Sequence, residues 1–437
     1  MRGRGTLLLV TAAVALLALL PTPARGQAAE VPPAHGITLV RDEVVSHDGR
    51  LHELTLHSAT LGRETTHRLL LPAGYDDPAA AATRYPMLVL LHGADSNHRS
   101  WTEATRLEEH TAPLDLIVLM PDGGPRGFYS DWLDGPAWET FHLRELLPWI
   151  DATYRTVGTR AGRAIAGLSM GGFGSASYAA RNPDLFIAMA AFSGAVDIAD
   201  AGVVEAEALK ALGYNDDRLW GPYLTHEASW RGHNPPDLAP NLQGMAVRLA
   251  TGSGVPCPAT RDKGPDVIEA GVFLMHAGFT LALQRAGVPY SIDLRPCGTH
   301  EWHYWDADIA AWLPTLMALF AEPPAPPSPF DFRTTEPQTD VWGWSFTAHR
   351  PTIEFLDLRD VSRTGLTATG SGVVDVVSAP VYEPGATYAV AATSGGTITA
   401  PVAVLGLLAD PQTTLPATPA GTAAAIADPD GRLRFTH

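Results

Sequence analysis

The run Gly167-Leu168-Ser169-Met170-Gly171 sets a serine between glycines, directly after the apolar stretch RAIAG and before the helix-like stretch MGGFGSASYAARNP. A strand, a sharp turn and a helix around one serine would expose its hydroxyl as a nucleophile, because the flanking glycines let the backbone turn tightly and neighbouring elements pack close. The plainer reading is a serine that caps a helix, a role serine also fills well. A nucleophilic serine needs a base. His300 lies in CGTHEWHYW, after the last strand-like run and before the final helix-like run DADIAAWLPTLMALF, which is where the base belongs; His303 is its rival three residues on.

The imidazole in turn needs an acid to hold its tautomer. RDKGPDVIEAGV supplies Asp262, Asp266 and Glu269 in the right part of the chain. Acids also gather at helix N-termini for dipole reasons, so the residue pattern alone leaves all three open. Oxyanion donors are backbone N–H groups. Met170, which follows the nucleophile, marks one position, and Ala94, in the loop after MLVLLHG, marks the other. The neighbouring His92 reads as a structural residue of that turn, with a ligand or base as the alternative. Together these groups would carry an acyl-enzyme reaction at an ester carbonyl, with no metal or organic cofactor implied.

These residues must be positioned by a strand and helix framework. From Pro86 onward, short apolar runs (MLVLLHG, LDLIVLMPDGG, RAIAGLSMGG, IAMAAFSGA, MAVRLATGSG, YSIDLRP) alternate with helical patterns such as WETFHLRELLPWIDATY and AGVFLMHAGFTLALQRAG. That alternation predicts a mostly parallel sheet with helices on both faces, its chemistry in loops at the carboxyl ends of the strands. The stretch from His35 to Tyr75 alternates polar and apolar residues and predicts antiparallel strands. AEPPAPPSPF marks a proline-rich linker over residues 321–330, and the Val-, Thr- and Gly-rich remainder, 331–437, predicts a small all-β domain.

The first 26 residues carry two early arginines, an apolar run from Leu7 to Leu20 and small residues at Ala24 and Gly26, the pattern of a signal peptide. Residues 27–320 then form the catalytic unit of an exported protein. No later stretch is expected to be long and apolar enough to cross a membrane. A formal net charge of −17 disfavours nucleic acid as a partner. The two cysteines, Cys257 and Cys297, are too few for a thiolate zinc site and could pair in an oxidising compartment. Oligomeric state is not legible.

GLSMGGFG, LLHGADSNHRSW, MPDGGPRGFYSDW, WETF and GTHEWHYW, in that set of ordered blocks, resemble the esterase-D-like branch of the α/β-hydrolases over about residues 37–320. That branch includes S-formylglutathione hydrolase and the antigen 85 mycolyltransferases. The resemblance implies an α/β-hydrolase fold and a Ser, Glu, His triad. It falls on Ser169 and His300, and the family's glutamate-to-histidine spacing favours Glu269. FYSDW and WGPYLTHEASWRGHNPPDLAPNL look like the acyl-binding surface of the mycolyltransferases, so Trp132 is expected at the substrate. Trp302 stands where the family has a tryptophan beside the histidine. The fold also makes the last two parallel strands neighbours, which brings the loops of Cys257 and Cys297 together for a disulfide. One departure matters: the mycolyltransferases have an Asp-Gly-Leu-Arg run that engages the sugar acceptor, whereas this chain has His92-Gly93-Ala94-Asp95, the form of hydrolytic relatives.

The expected activity is therefore that of a secreted serine esterase acting on an ester, with a lipid or cell-envelope glycolipid among the candidates. Its rival is an acyltransferase that moves the acyl chain to a sugar or lipid alcohol. A second rival is a cell-surface binding protein in which Trp342 and Trp344 form a carbohydrate platform, although alternation in VWGWSF favours a core position for such residues.

Overall fold

The structure, a computed structural model, describes residues 35–436 apart from 201, 212, 214–216, 259, 261, 393–396 and 400–421. The expected signal peptide, residues 1–26, lies outside the described residues.

Strands β1 (Ile37–Val44), β2 (Leu51–Ser58) and β3 (Arg63–Leu70) run antiparallel. Beyond them come β4 (Met87–Leu91), β5 (Ile117–Met120), β6 (Arg163–Leu168), β7 (Ala188–Phe192), β8 (Ala246–Thr251) and β9 (Tyr290–Leu294), parallel to one another. The order across the sheet is β1-β2-β3-β5-β4-β6-β7-β8-β9. The central strands β4 to β7 are buried along their whole length, which is why they read as unbroken apolar runs. Met87, Val89 and Leu91 join the core on one face of the sheet, and Leu88 and Leu90 join the other, as a period of two demands.

The helices, in chain order, are α1 (Ser100–Ala104), α2 (Leu107–Thr111) and α3 (Trp138–Thr140), which runs through a π turn (Phe141–Leu146) into α4 (Leu147–Thr153). They continue with α5 (Met170–Arg181), α6 (Val203–Ala211), α7 (Tyr223–Arg231), α8 (Val267–Arg285) and α9 (Trp302–Ala321). Trp101, Leu107 and Trp312 bring α1, α2 and α9 to one face, while Ile150, Phe173 and Phe279 bring α4, α5 and α8 to the other. One expectation needs correction here. By length and composition α8 could cross a membrane. In the fold it packs instead along the sheet through Val272, Phe279 and Leu283, and it carries the buried Glu269.

Residues 322–329 contain neither helix nor strand. After them lie β10 (Phe330–Thr334), β11 (Gln338–Val341), β12 (Trp344–His349), β13 (Leu356–Ser362), β14 (Gly365–Thr369) and β15 (Val373–Val377). The last are β16 (Thr387–Ala392), β17 (Thr397–Thr399), β18 (Thr422–Ile426) and β19 (Arg434–Thr436). They form two antiparallel sheets, β10-β13-β14-β17-β16-β18 and β11-β12-β15-β19, over a shared core that includes Phe332, Phe346 and Leu358. Trp344 is buried in that core. Trp342 packs against it, with the Arg160 guanidinium 5.1 Å from its ring and its backbone N–H given to Asp184. Neither tryptophan forms an exposed platform.

Polar contacts tie these sheets to the first. Arg181, at the end of α5, donates to Glu139 at 3.0 Å, to Glu336 at 2.8 Å and to the Gly232 carbonyl at 2.8 Å. Asn241 donates to the Arg333 carbonyl at 2.8 Å and accepts from the Arg333 N–H at 2.7 Å.

Candidate active site

Ser169 sits between β6 and α5 with φ 53° and ψ −120°, a backbone conformation that side-chain-bearing residues adopt only under strain. Its neighbours hold it there. The Ser169 N–H donates to the Phe192 carbonyl at 3.0 Å, and its carbonyl accepts from Phe173 and Ala195. The two motif glycines are required by close approach: a Cβ on Gly167 would lie 2.2 Å from the Gly171 carbonyl oxygen, and one on Gly171 would lie 2.5 Å from that of Leu91. The serine is thus the apex of a tight turn and not a helix cap, and its side chain makes no capping hydrogen bond.

His300 meets the turn from the loop between β9 and α9. Its Nδ1 lies 2.7 Å from Glu269 Oε2, while Glu269 Oε1 accepts from Ser193 Oγ at 2.8 Å, Thr251 Oγ1 at 2.9 Å and the Gly252 N–H at 2.6 Å. Glu269 is fully buried. Burial alone would raise its carboxyl pKa, but the hydrogen bond and charge of His300, with Ser193 and Gly252, bring it below the ordinary value. An ionised carboxylate can only accept, so His300 carries its proton on Nδ1 and leaves the Nε2 lone pair for another donor. Trp305 closes the imidazole from the side, its ring edge-on at 4.9 Å, and gives its Nε1–H to Ser193 at 3.1 Å. Ser193, at φ 45°, and Trp305 are supporting residues that the sequence pattern does not disclose.

The other two carboxylates do different work. Asp266 caps α8, accepting from the Ile268 and Glu269 N–H groups, and its second oxygen takes the His300 N–H at 3.0 Å. Asp262 accepts from the Cys257 N–H, Thr299 Oγ1 and Tyr304 Oη. Burial opposes its ionisation, yet hydrogen bonds from Thr260, Cys257, Tyr304 and Thr299 lower its pKa to about 2. Cys257 and Cys297 are joined in a disulfide with their Cα atoms 5.0 Å apart. The same two loops are zipped by Gly254 N–H to Gly298 carbonyl at 2.8 Å and Gly298 N–H to Val255 carbonyl at 2.7 Å. His303 is half exposed and turned to Asp262 at 3.5 Å, away from Glu269.

Ser169 and His300 line one cavity of about 470 Å³, with Phe128, Met170, Val272, Met275 and Trp302 among its apolar walls. Ala94 also lines it, and among the described residues neither the Ala94 nor the Met170 N–H has an acceptor. Both amides are therefore free to meet an oxyanion. His92 does not reach the cavity. It is buried, with Nδ1 2.7 Å from the Gly93 carbonyl and Nε2 accepting from the Gly123 N–H at 2.9 Å, which makes it a structural residue of the turn. Trp132 departs from expectation: its indole N–H bonds the Gly127 carbonyl at 3.0 Å and it is absent from the cavity wall, where Phe128 of the same FYSDW segment stands instead. Trp302 lies on the wall, stacked edge-on between Trp101 and Trp305. Among the described residues no group of His, Cys, Asp and Glu is arranged to hold a metal ion.

A parallel sheet carrying a serine on a strained strand-to-helix turn, with a histidine and acid on later strand-end loops, defines an enzyme of the α/β-hydrolase type. The Esterase family model matches residues 58–316, and the chain belongs to that family. It is 32% identical over 262 residues to an esterase of Mycobacterium tuberculosis, a match covering 58% of this chain and 56% of that one, so the chain spans about half the length of that relative. It is 31% identical over 258 residues to the diacylglycerol acyltransferase/mycolyltransferase Ag85B of Mycobacterium leprae, covering 54% of this chain and 77% of that protein. The fold is similar to an S-formylglutathione hydrolase from Agrobacterium tumefaciens, with TM-score 0.50 and 19% identity over 66% of this chain and 99% of that one.

Proposed function

We propose that the protein is a secreted serine carboxylic-ester hydrolase that works through an acyl-enzyme. The observation that carries this is the 2.7 Å hydrogen bond from His300 Nδ1 to a buried carboxylate, on a histidine that shares an apolar cavity with Ser169. Ser169 Oγ attacks the ester carbonyl carbon as its proton passes to His300 Nε2, and Glu269 stabilises the imidazolium. The Met170 and Ala94 N–H groups donate to the oxyanion. Collapse of the tetrahedral intermediate expels the alcohol with the proton from His300. Water then attacks the acyl-enzyme by the same route and releases the acid.

The apolar wall favours esters with an apolar acyl group, lipids and cell-envelope glycolipids included. Secretion is supported by the leader-like residues 1–26 and by a disulfide, which persists in oxidising compartments. Residues 27–320 form the catalytic unit in this reading, 321–330 the linker and 331–437 a β-rich module. A second reading, transfer of the acyl group to a sugar or lipid alcohol, is favoured by the likeness to a mycolyltransferase.

The test is turnover of a short p-nitrophenyl ester. The wild type is expected to hydrolyse it with an acyl-enzyme detectable by mass, and Ser169→Ala to lose about 10⁴-fold or more in rate while keeping its fold. Near-wild-type turnover by Ser169→Ala would falsify the assignment.

A further inference from the structure

The helix that carries Glu269 presents an apolar face to solvent. Val267, Gly271, Leu274 and Leu281 are spaced by four, three and seven residues and so lie on one side of α8, with Gly278 between the two leucines covered by the Asp197 side chain. Val267 is 83%, Leu274 70% and Leu281 46% exposed. Between the buried Glu269 and Arg285 the helix has no residue with a fixed charge, and its one histidine, His276, is buried against the Val272 carbonyl. This stripe begins at the cavity mouth, because Val267 and Gly271 are also cavity-wall residues. Across the mouth, α6 adds exposed Val203 and Val204 one turn from the wall residue Ala208.

We propose that this stripe of α8, with Val203 and Val204 of α6, seats the mouth of the catalytic cavity on the surface of an electrically neutral lipid aggregate, from which the ester substrate enters. The proposal deepens the esterase reading and rests on it. Continuity with the mouth selects the occupant: a folded partner or second copy on this face would stopper the cavity, whereas a lipid surface delivers acyl chains to Ser169. Charge selects the kind of surface. The α8 stripe carries no fixed charge, α6 sets the exposed Glu207 one turn from Val203, and the chain's net charge is −17, so this face is drawn to neutral lipid by apolar burial and repelled by anionic lipid.

The test is flotation of the full chain with vesicles of diether phosphatidylcholine, which has no ester to hydrolyse, beside turnover of a water-soluble p-nitrophenyl ester below its solubility limit. The wild type is expected to float with these vesicles and to float less when phosphatidylglycerol is mixed in. L274Q/L281Q, at positions that do not line the cavity, should lower vesicle partition about 10-fold or more, as lost burial of two leucines requires, with soluble-ester turnover unchanged. V204Q, on the other helix, is the independent check should that pair disturb the fold, and it too should weaken partition. Wild-type protein that stays with the aqueous phase, variants that float as the wild type does, or self-association abolished by L274Q/L281Q in sedimentation would each overturn the proposal. Absence of soluble-ester turnover in the wild type, with flotation intact, would sink the esterase reading instead.

Discussion

Glu269 faces His300 with one oxygen and gives the other to three donors, Ser193 Oγ, Thr251 Oγ1 and the Gly252 N–H. The carboxylate is thus oriented from behind before it orients the imidazole in front. Glu269→Gln would keep the shape, but three donors at one position fix the amide oxygen there and turn its NH₂ toward His300 Nδ1. The imidazole must then accept at Nδ1 and hold its proton on Nε2, the wrong tautomer for a base. We expect kcat for a soluble ester to fall about 10³-fold or more, with thermal stability little changed. Asp266→Asn should cost far less; a ranking in the opposite order removes Glu269 from the reaction.

Asp262 gives a pH-dependent signature. Its folded-state pKa, about 2, lies below the ordinary carboxylate value, so its contribution to stability is full above about pH 5 and lost as the pH falls toward 2. The stability gap between wild type and Asp262→Asn should be widest at neutral pH and close between pH 4 and pH 2. Urea unfolding at pH 7, 5 and 3 reads this directly, and a gap that widens on acidification contradicts it.

Asp197 should behave in the opposite sense. Burial, only partly offset by the Asn234 side chain, raises its pKa to about 6. Folding is thus penalised increasingly as the pH rises from the unfolded value through 6. Asp197→Asn mimics the neutral acid, and its gain in Tm over wild type is expected to be larger at pH 7.5 than at pH 4.5. Equal gains at both values would show that the group is ionised freely in the fold.

The disulfide closes a loop between positions 40 residues apart. Replacing both Cys257 and Cys297 with serine should cost about 2–4 kcal/mol of stability by the loop-closure argument. Activity at low temperature should survive, because the Gly254 and Gly298 hydrogen bonds still join the two loops. Loss of activity without loss of stability would mean that the bridge sets the His300 geometry itself.

Partition between water and an added alcohol follows from what the loop after β4 can offer. Both Asp95 oxygens are taken by Arg126, at 3.0 and 3.1 Å, and both His92 ring nitrogens are engaged within the turn. With its charge paired to Arg126, Asp95 offers a sugar hydroxyl a weaker hold than an unpaired carboxylate would, and the buried His92 offers none, so a disaccharide is held less precisely in attack geometry. Free acid is expected as the main product from a simple ester donor even in millimolar trehalose; acylated trehalose as the dominant product by mass spectrometry would promote the transferase reading.

Patterns with a strong period were legible in the sequence. The alternation of apolar runs with helical stretches located the parallel sheet, and the glycines around Ser169 located the turn, because both depend on local spacing. The acid was not legible from the residues alone. Asp262, Asp266 and Glu269 differ only in where one helix begins: Asp266 caps it, Asp262 lies before it, and Glu269 enters the sheet side one turn on. Family spacing favoured Glu269, and the structure brings that residue to His300. Trp132 lies off the cavity wall for a related reason, since the backbone around Phe128 and Tyr129 takes positive φ values and Phe128, not the tryptophan, stands at the cavity. The apolarity of α8 runs against the expectation that no later stretch is long and apolar enough to cross a membrane, because part of the helix faces solvent and serves no core.

Helix α5 starts one residue past Ser169 and ends at Arg181, whose guanidinium bridges Glu139 to Glu336. Its 12 residues make a rod of about 18 Å. In mechanical terms the rod has a bearing at each end: the strained serine at one, the β-rich sheets at the other. Those sheets are therefore part of the mounting of Ser169: removing Glu336 would leave Arg181 on Glu139 and the Gly232 carbonyl while cutting its tie to the β-rich sheets.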